Sequence, residues 1–232
     1  MASTDVQVAT VTEPVPSTVQ ILSSQFAEAG QRHAYAIGKR IVDLVGALLL
    51  CIAMLPVIVA VALLVRVTSK GPVFLRQTRC GVGGKEFTCV KFRTMVHDAH
   101  NRRDEVQHLN HMTGPVFKIR NDPRCTPVGR WLRRLSIDEL PQLWNVLRGD
   151  MSLVGPRPAL PAEVAQYTPH QGARLLVKPG LTGLWQISGR ADLDFDRWVE
   201  LDLEYIRRRS LLFDCWILLC TIPAVLSMRG AY

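Results

Sequence analysis

The longest feature of the chain is a run without a single charged side chain, positions 44–65, inside "KRIVDLVGALLLCIAMLPVIVAVALLVRVTSKG" at 39–71. Its 22 residues match the roughly 20 that a helix needs to cross a bilayer core. They are apolar on every face, which a core helix of a soluble domain rarely is over such a length. The pattern predicts a membrane helix over 37–70. Pro56 lies near its middle, removes one backbone hydrogen bond and bends the helix. Lys39 and Arg40 precede the run, and Arg66 and Lys70 follow it. Positive charge prefers the cytoplasmic side, and a near-symmetric pair of flanks leaves two topologies open. One is a kinked single crossing. The other is a helix that enters, turns at Pro56 and returns to the same face.

Beyond this helix the periods change. Val73 to Leu75 and Phe87 to Val90 are short apolar runs separated by Gly81, Gly83 and Gly84, which predicts a β-hairpin. A phosphate-cradling loop is the weaker reading, because no lysine follows at P-loop spacing. Residues 96–120 are polar and carry His97, His100, His108 and His111, which reads as a solvated helix. The histidines fall in pairs three apart, but no third ligand converges on either pair, so surface positions are the simpler reading. The stretch 192–210 predicts an amphipathic helix with Trp198, Leu201, Tyr205 and Ile206 on its apolar side. The last apolar stretch holds Asp214 and Pro223, and its uncharged part, 215–228, is too short to span. With Trp216 and Arg207 to Arg209 beside it, it suits a helix lying in the membrane interface; a core helix is the alternative, and the pattern leaves both open.

Residues 1–36 show neither period and are expected to be disordered, without the basic start and apolar stretch of a secretory signal. The first 31 residues contain three acids and no Lys or Arg. The rest therefore holds 28 basic against 17 acidic residues, a formal +11. Such a body suits an anionic partner: nucleic acid, anionic lipid or a phosphorylated substrate. Against nucleic acid, the arginines cluster around acids and prolines, and aromatic residues make up only 7% of the chain. The six cysteines form no C-x-x-C pair and are expected to be reduced thiols of a cytosol-facing protein.

The densest chemistry is "LSIDELPQLWNVLRGDMSLVGPRP", 135–158. Ser136 and Glu139 fit a capping box, or Asp138 is itself the N-cap. Leu140, Leu143, Trp144 and Leu147 would then line one face of a helix that Gly149 ends. On this reading the two acids are structural. The surroundings offer a second reading. Arg120, Arg124, Arg130, Arg133, Arg134, Arg148 and Arg157 lie nearby, and Arg157 is stiffened between Pro156 and Pro158. Rigid arginines suit bidentate phosphate recognition. An aspartate, with an ordinary pKa of about 3.9, is ionised at neutral pH and needs no base to act as a nucleophile. Adjacent carboxylates can also hold Mg²⁺ against a diphosphate.

The chain resembles the bacterial sugar transferases that prime polysaccharide synthesis, the monotopic polyprenyl-phosphate phosphoglycosyl transferases. The likeness covers 39–232. It is carried by Lys39-Arg40-x-x-Asp43, "GPVFLRQTRCG", "KFRTM", "NDPRCTPVGRWLRRLSIDELPQLWNVLRGDMSLVGPRP" and "KPGLTGLWQISGR". It implies an α+β, membrane-associated monotopic domain. Residues 1–36 would be a disordered segment and 37–70 a re-entrant helix broken at Pro56, entering beside Lys39 and Arg40. Residues 71–232 would form the catalytic domain, with a small β-hairpin, several amphipathic helices and an interfacial C-terminal helix. It implies transfer of a hexose 1-phosphate, glucose or galactose, from a UDP-hexose to undecaprenyl phosphate with release of UMP. Asp138 would be the nucleophile, and Glu139 would support Mg²⁺ with it. Arg157, Arg133, Arg124, Lys91, Arg93, Gln186 and Arg190 would bind substrate. The likeness places the protein among inner-membrane lipids on the cytoplasmic face, starting exopolysaccharide repeat units, with a homodimer expected. Leu55 stands where family members often have Ser before the proline.

Overall fold

The computed structural model describes residues 33–99 and 101–231; the expected disorder of the N-terminal segment falls on residues 1–32, outside them. The first helix, α1 (His33–Thr68), is 36 residues long and already includes residues 33–36. By length and composition it can cross a bilayer. Pro56 lies inside it, and helical structure continues on both sides to Thr68, so the expected break is not an interruption of the helix.

One stripe of α1 is seated on the body of the protein. Asp43, Ala47, Val61 and Val65 are buried, while Leu48, Ile52, Leu55, Leu63 and Val67 remain exposed. At its start, Arg40 donates to the carbonyls of Val146 (2.7 Å) and Leu147 (2.8 Å), the last turn of a later helix. Lys39 pairs with Asp43 (3.2 Å) and with the buried Asp214 (3.0 Å). Asp43 Oδ1 accepts from Ser152 Oγ and Leu153 N, both at 3.0 Å. The flanking cations Lys39 and Arg40 are therefore taken up by the protein itself, not by the membrane surface. At the other end Val61 and Val65 pack with Phe92 and Leu132, and Arg93 Nη2 donates to Ser69 O (2.9 Å). Both ends of α1 thus rest on one body.

The expected hairpin is present. β1 (Phe74–Cys80) and β2 (Glu86–Phe92) pair antiparallel with Phe74 opposite Phe92, and their rings stack at 5.3 Å. Residues 96–120 are not a helix. Turns dominate, with one short 3₁₀ segment, Asp104–Leu109. Val106, Val116 and Ile119 are buried, so the stretch is in part packed against the body and not fully solvated.

After α2 (Pro127–Arg134) and α3 (Leu143–Arg148) comes a pair the sequence reading did not anticipate. The three-residue strands β3 (Ser152–Val154) and β4 (Gly180–Thr182) run parallel. The chains cross so closely that a Cβ on Gly180 would stand 2.1 Å from Gly155 N. The glycines of "LVGPRP" and "KPGLTG" are thus one requirement, two backbones in contact. α4 (Phe195–Arg208) buries Trp198, Leu201, Tyr205 and Ile206, as its period predicts. Trp198 packs on Trp185 at 4.6 Å. α5 (Leu211–Leu226) buries only Asp214 and Ile217 fully. Leu212, Leu219, Ile222 and Leu226 are exposed. The helix is therefore attached to the core along one stripe and open on its other apolar faces. The Tyr205 hydroxyl lies 2.8 Å from Asp214 Oδ1 and 3.0 Å from Val154 O, joining α4, α5 and β3.

Candidate active site

Asp138 and Glu139 sit on a 3₁₀ turn, Ile137–Gln142, that runs into α3. The capping box is not formed. Ser136 has left-handed backbone (φ 54°) and makes no capping bond; its hydroxyl accepts from Arg190 Nη2. Glu139 turns away from the helix end and pairs with Lys91 Nζ at 2.5 Å. Asp138 is inside the turn and not its cap. The structural reading of the two acids therefore fails. Gly149 closes α3 as expected (φ 92°), but Trp144 is exposed and the buried side chains of this stretch include Gln142, Asn145 and Val146. Ile137, the residue before Asp138, packs into the cluster of Val61, Val65, Phe92 and Leu132 that seats the C-terminal half of α1.

Cations surround the pair. Lys91 comes from β2, and Arg133 from α2, its Nε donating to Thr94 Oγ1 (3.0 Å). Arg157 comes from the turn after β3. It is held by Glu163 Oε2 at 3.1 Å and lies 5.8 Å from the Trp198 ring. Arg190 also has left-handed backbone (φ 56°), so two strained non-glycine residues meet beside the acids. Its Nη1 is buried without a hydrogen-bond partner among the described residues, a donor aimed where an anion could use it. Two further cations were missed by the sequence reading. Arg79 is buried on Pro158 O (2.8 Å), where it braces the Pro156–Pro158 turn. Lys118 lies among Arg157, Arg133, Glu139 and Arg190. Arg79 stands in a motif that carries the family likeness, but nothing in its spacing marks it. Lys118 lies in a loop without period.

The electrostatics follow. Burial and the Glu139 charge raise the Asp138 carboxyl to about 6, against Lys91 and Arg133. Burial would also raise Glu139, but Lys91, Arg157 and Arg79 outweigh it and hold Glu139 below its usual range. The pair titrates as a unit, with Glu139 giving up its proton first. Burial and the neighbouring arginines push Lys118 down to about 7. Six basic side chains around three carboxylates, Asp138, Glu139 and Glu163, is an arrangement short of negative charge, as a binding site for a diphosphate would be.

Three expected substrate residues lie elsewhere. Arg124 is buried in a bidentate pair with Asp122, at 3.0 and 2.7 Å. Arg93 gives its Nη2 to Ser69 at the end of α1, while its Nε and Nη1 are buried without a hydrogen-bond partner among the described residues. Gln186 donates to Leu181 O (3.0 Å), bracing β4. No three His, Cys, Asp or Glu side chains converge on a metal position among the described residues. A divalent cation here would have Asp138 and Glu139 alone as protein ligands. That fits Mg²⁺, which binds through one or two carboxylates and completes its octahedron with water and phosphate oxygens.

The bacterial sugar transferase family model matches residues 34–228. The chain is 42% identical over 200 residues to exopolysaccharide production protein ExoY of Sinorhizobium fredii, covering 84% of this chain and 88% of that protein. It is 42% identical over 228 residues to the UDP-glucose:undecaprenyl-phosphate glucose-1-phosphate transferase of Caulobacter vibrioides, covering 94% of this chain and 80% of that protein. It is also 42% identical over 209 residues to the UDP-galactose-lipid carrier transferase of Erwinia amylovora, covering 87% of this chain but 43% of that protein. The chain thus spans less than half the length of some of the relatives it matches.

Proposed function

The chain belongs to the bacterial sugar transferase family, and from that premise we propose that it moves a hexose 1-phosphate from a UDP-hexose to undecaprenyl phosphate. The hexose is glucose or galactose, the sugars in the names of its relatives. The product starts an exopolysaccharide repeat unit on the cytoplasmic face of the inner membrane. One observation carries this reading. A pair of acids in a cationic site stands one residue away from the side chain that packs on the membrane helix. Such a site can receive one substrate from water and the other from lipid.

The Asp138 carboxylate oxygen attacks the β-phosphorus of the donor. The bond from that phosphorus to the bridging oxygen breaks, its electron pair leaves with UMP, and a phosphosugar remains esterified to Asp138. A phosphate oxygen of undecaprenyl phosphate then attacks the same phosphorus, and the Asp138–phosphorus bond breaks to restore the carboxylate. One diphosphate replaces another, so the protein needs to orient, balance charge and exclude water more than to supply driving force. Arg157, Arg133 and Arg190 hold the donor phosphates as they gain charge. Lys91 keeps Glu139 ionised, so that the proton of the pair, when present, resides on Asp138. Mg²⁺ held by Asp138 and Glu139 would neutralise the diphosphate as Asp138 approaches.

The re-entrant topology belongs to this proposal. Both ends of α1 are bonded to one body. A body that grips both ends is most simply placed at one face of the membrane, with the exposed apolar faces of α1 and α5 in lipid. UMP release from a panel of UDP-sugars, with Mg²⁺ and with or without undecaprenyl phosphate, tests the function. Turnover that needs the lipid and is lost in Asp138→Asn is expected. No release from any UDP-sugar by folded protein would overturn it, and lipid-independent sugar phosphate release at the same rate would make the protein a hydrolase.

A further inference from the structure

We propose that Arg93 is the floor of a site for the phosphate of an anionic phospholipid, set where the membrane helix α1 ends. The inference goes beyond the transfer reaction and uses only the seating of α1 in lipid.

Arg93 is 7% exposed. Its Nη2 donates to Ser69 O (2.9 Å) and Ser69 Oγ (2.8 Å), which fixes the guanidinium against the end of α1. The Ser69 hydroxyl in turn donates to Val65 O (3.1 Å). Nε and Nη1 are buried without a hydrogen-bond partner among the described residues. Burial first, and then the Arg66 charge, lower the guanidinium from its ordinary value, and no acid counters them. A buried guanidinium with unused N–H groups and a cation as its nearest charge is unfavourable in the protein alone. An anion seated against it supplies both the acceptors and the missing charge.

The surroundings fit such a ligand. Gly71 has φ +112°, and a Cβ there would overlap Arg93 Nη1 and stand 2.9 Å from His97 Nδ1. The backbone thus passes directly over the guanidinium, which only glycine permits, and the imidazole of His97 approaches the same point. His97, Arg66 and Lys70 are exposed. A phosphate therefore reaches Nη1 by displacing an exposed imidazole. Lys70 stands between Ser69 and Gly71, the two residues that frame the guanidinium.

The position along α1 names the source of the phosphate. Leu63, Leu64 and Val67 are exposed, so the lipid-facing side of the helix runs to within two residues of Ser69. Lipid phosphates lie where the apolar core gives way to polar groups, and basic pockets at such helix ends suit anionic headgroups. The place is also separate from the transfer centre. Lys91, two residues earlier, turns to Glu139, and Phe92 between them packs with Val61, Val65 and Leu132. Neither Asp138 nor Glu139 is among the charges that act on Arg93. The occupant is thus a bilayer phospholipid, not the acceptor at the point of transfer.

Full-length protein in detergent, equilibrated with equal amounts of phosphatidylglycerol and phosphatidylcholine, tests this by native mass spectrometry of the retained lipids. Wild type should prefer phosphatidylglycerol. Arg93→Gln should weaken one bound phosphatidylglycerol by about 10-fold or more, the loss of charge-assisted bonds. Arg66→Gln, at an exposed position, should weaken it by about 5-fold. No preference in the wild type would overturn the inference, and so would wild-type retention in folded Arg93→Gln. Should that variant not fold, unchanged retention in Arg66→Gln overturns it. Displacement of this phosphatidylglycerol by undecaprenyl phosphate would give the site to the acceptor, and displacement by millimolar inorganic phosphate would make it a plain anion site. Either result overturns the phospholipid assignment. None of these readouts involves turnover, so failure of the transferase reading would leave them unchanged.

Discussion

Lys91 Nζ stands 2.5 Å from Glu139 Oε1, so the second acid of the pair is already neutralised and the first is not. Burial and Glu139 raise Asp138 to about 6, and Lys91 is the leading charge that opposes them. Activity that requires ionised Asp138 should therefore rise with pH through about 6 in the first half-reaction, UDP-hexose to UMP. Lys91→Met should move this rise to higher pH and reduce kcat/KM by about 10²–10³. A pH profile of UMP release without lipid acceptor, at single turnover, checks both.

The same shift has a consequence for stability. Asp138 binds its proton more tightly folded than unfolded, so between its ordinary pKa and about 6 the folded state holds more protons. Stability contributed by this group is present at low pH and is lost as pH rises through about 6. Asp138→Asn removes that penalty and should raise the melting temperature at pH 7 by roughly a few degrees while abolishing transfer. Thermal unfolding of both proteins should show the full gap at pH 7, about half of it at pH 5 and little of it at pH 4, near the ordinary carboxyl pKa.

Asp43 holds α1 to β3 through Ser152 Oγ and Leu153 N, and it shares Lys39 with Asp214. Asp43→Ala leaves the Leu153 N–H without its acceptor and takes from Lys39 one of its two carboxylates, Asp214 remaining. It should cost about 1–3 kcal/mol. Because β3 leads directly into Arg157, residual activity should fall as well. Unfolding in detergent that matches wild type within about a degree would contradict this role.

If both ends of α1 lie at one face, single cysteines at exposed Ala36 and Lys70 should react with a membrane-impermeant thiol reagent from the same side. That side should be the cytoplasmic one, reached in inverted vesicles and not in spheroplasts. The background should lack the exposed native Cys215. Labelling of the two positions from opposite sides would establish a crossing helix.

Much of this was legible where a side-chain period is long or a turn is chemically marked. The uncharged run gave α1, the flanking apolar pairs and glycines gave β1 and β2, and the 3.6-residue period gave α4. The acids were located, but their local structure was misread, because S-x-x-E has the same spacing in a capping box and in a 3₁₀ turn entered through left-handed Ser136. The Arg190 side chain, 54 positions away, claims the Ser136 hydroxyl. β3 and β4 are three residues each, too short for a period, and only their mutual contact explains their glycines. Arg124 and Arg93 have the right type near the right motif, yet Asp122 takes the first and Ser69 one nitrogen of the second. Lys118 lies on a loop whose shape depends on Asn110, which no spacing rule reveals.

The central claim is that Asp138 carries the phosphosugar between donor and acceptor. Wild-type protein incubated with its UDP-hexose and Mg²⁺ in the absence of undecaprenyl phosphate, quenched in acid and measured intact, should gain the mass of one hexose phosphate. Fragmentation should place it on Asp138, and adding undecaprenyl phosphate before the quench should discharge it. UMP formed in a burst without any mass gain, or a mass gain that survives in Asp138→Asn, would contradict the account.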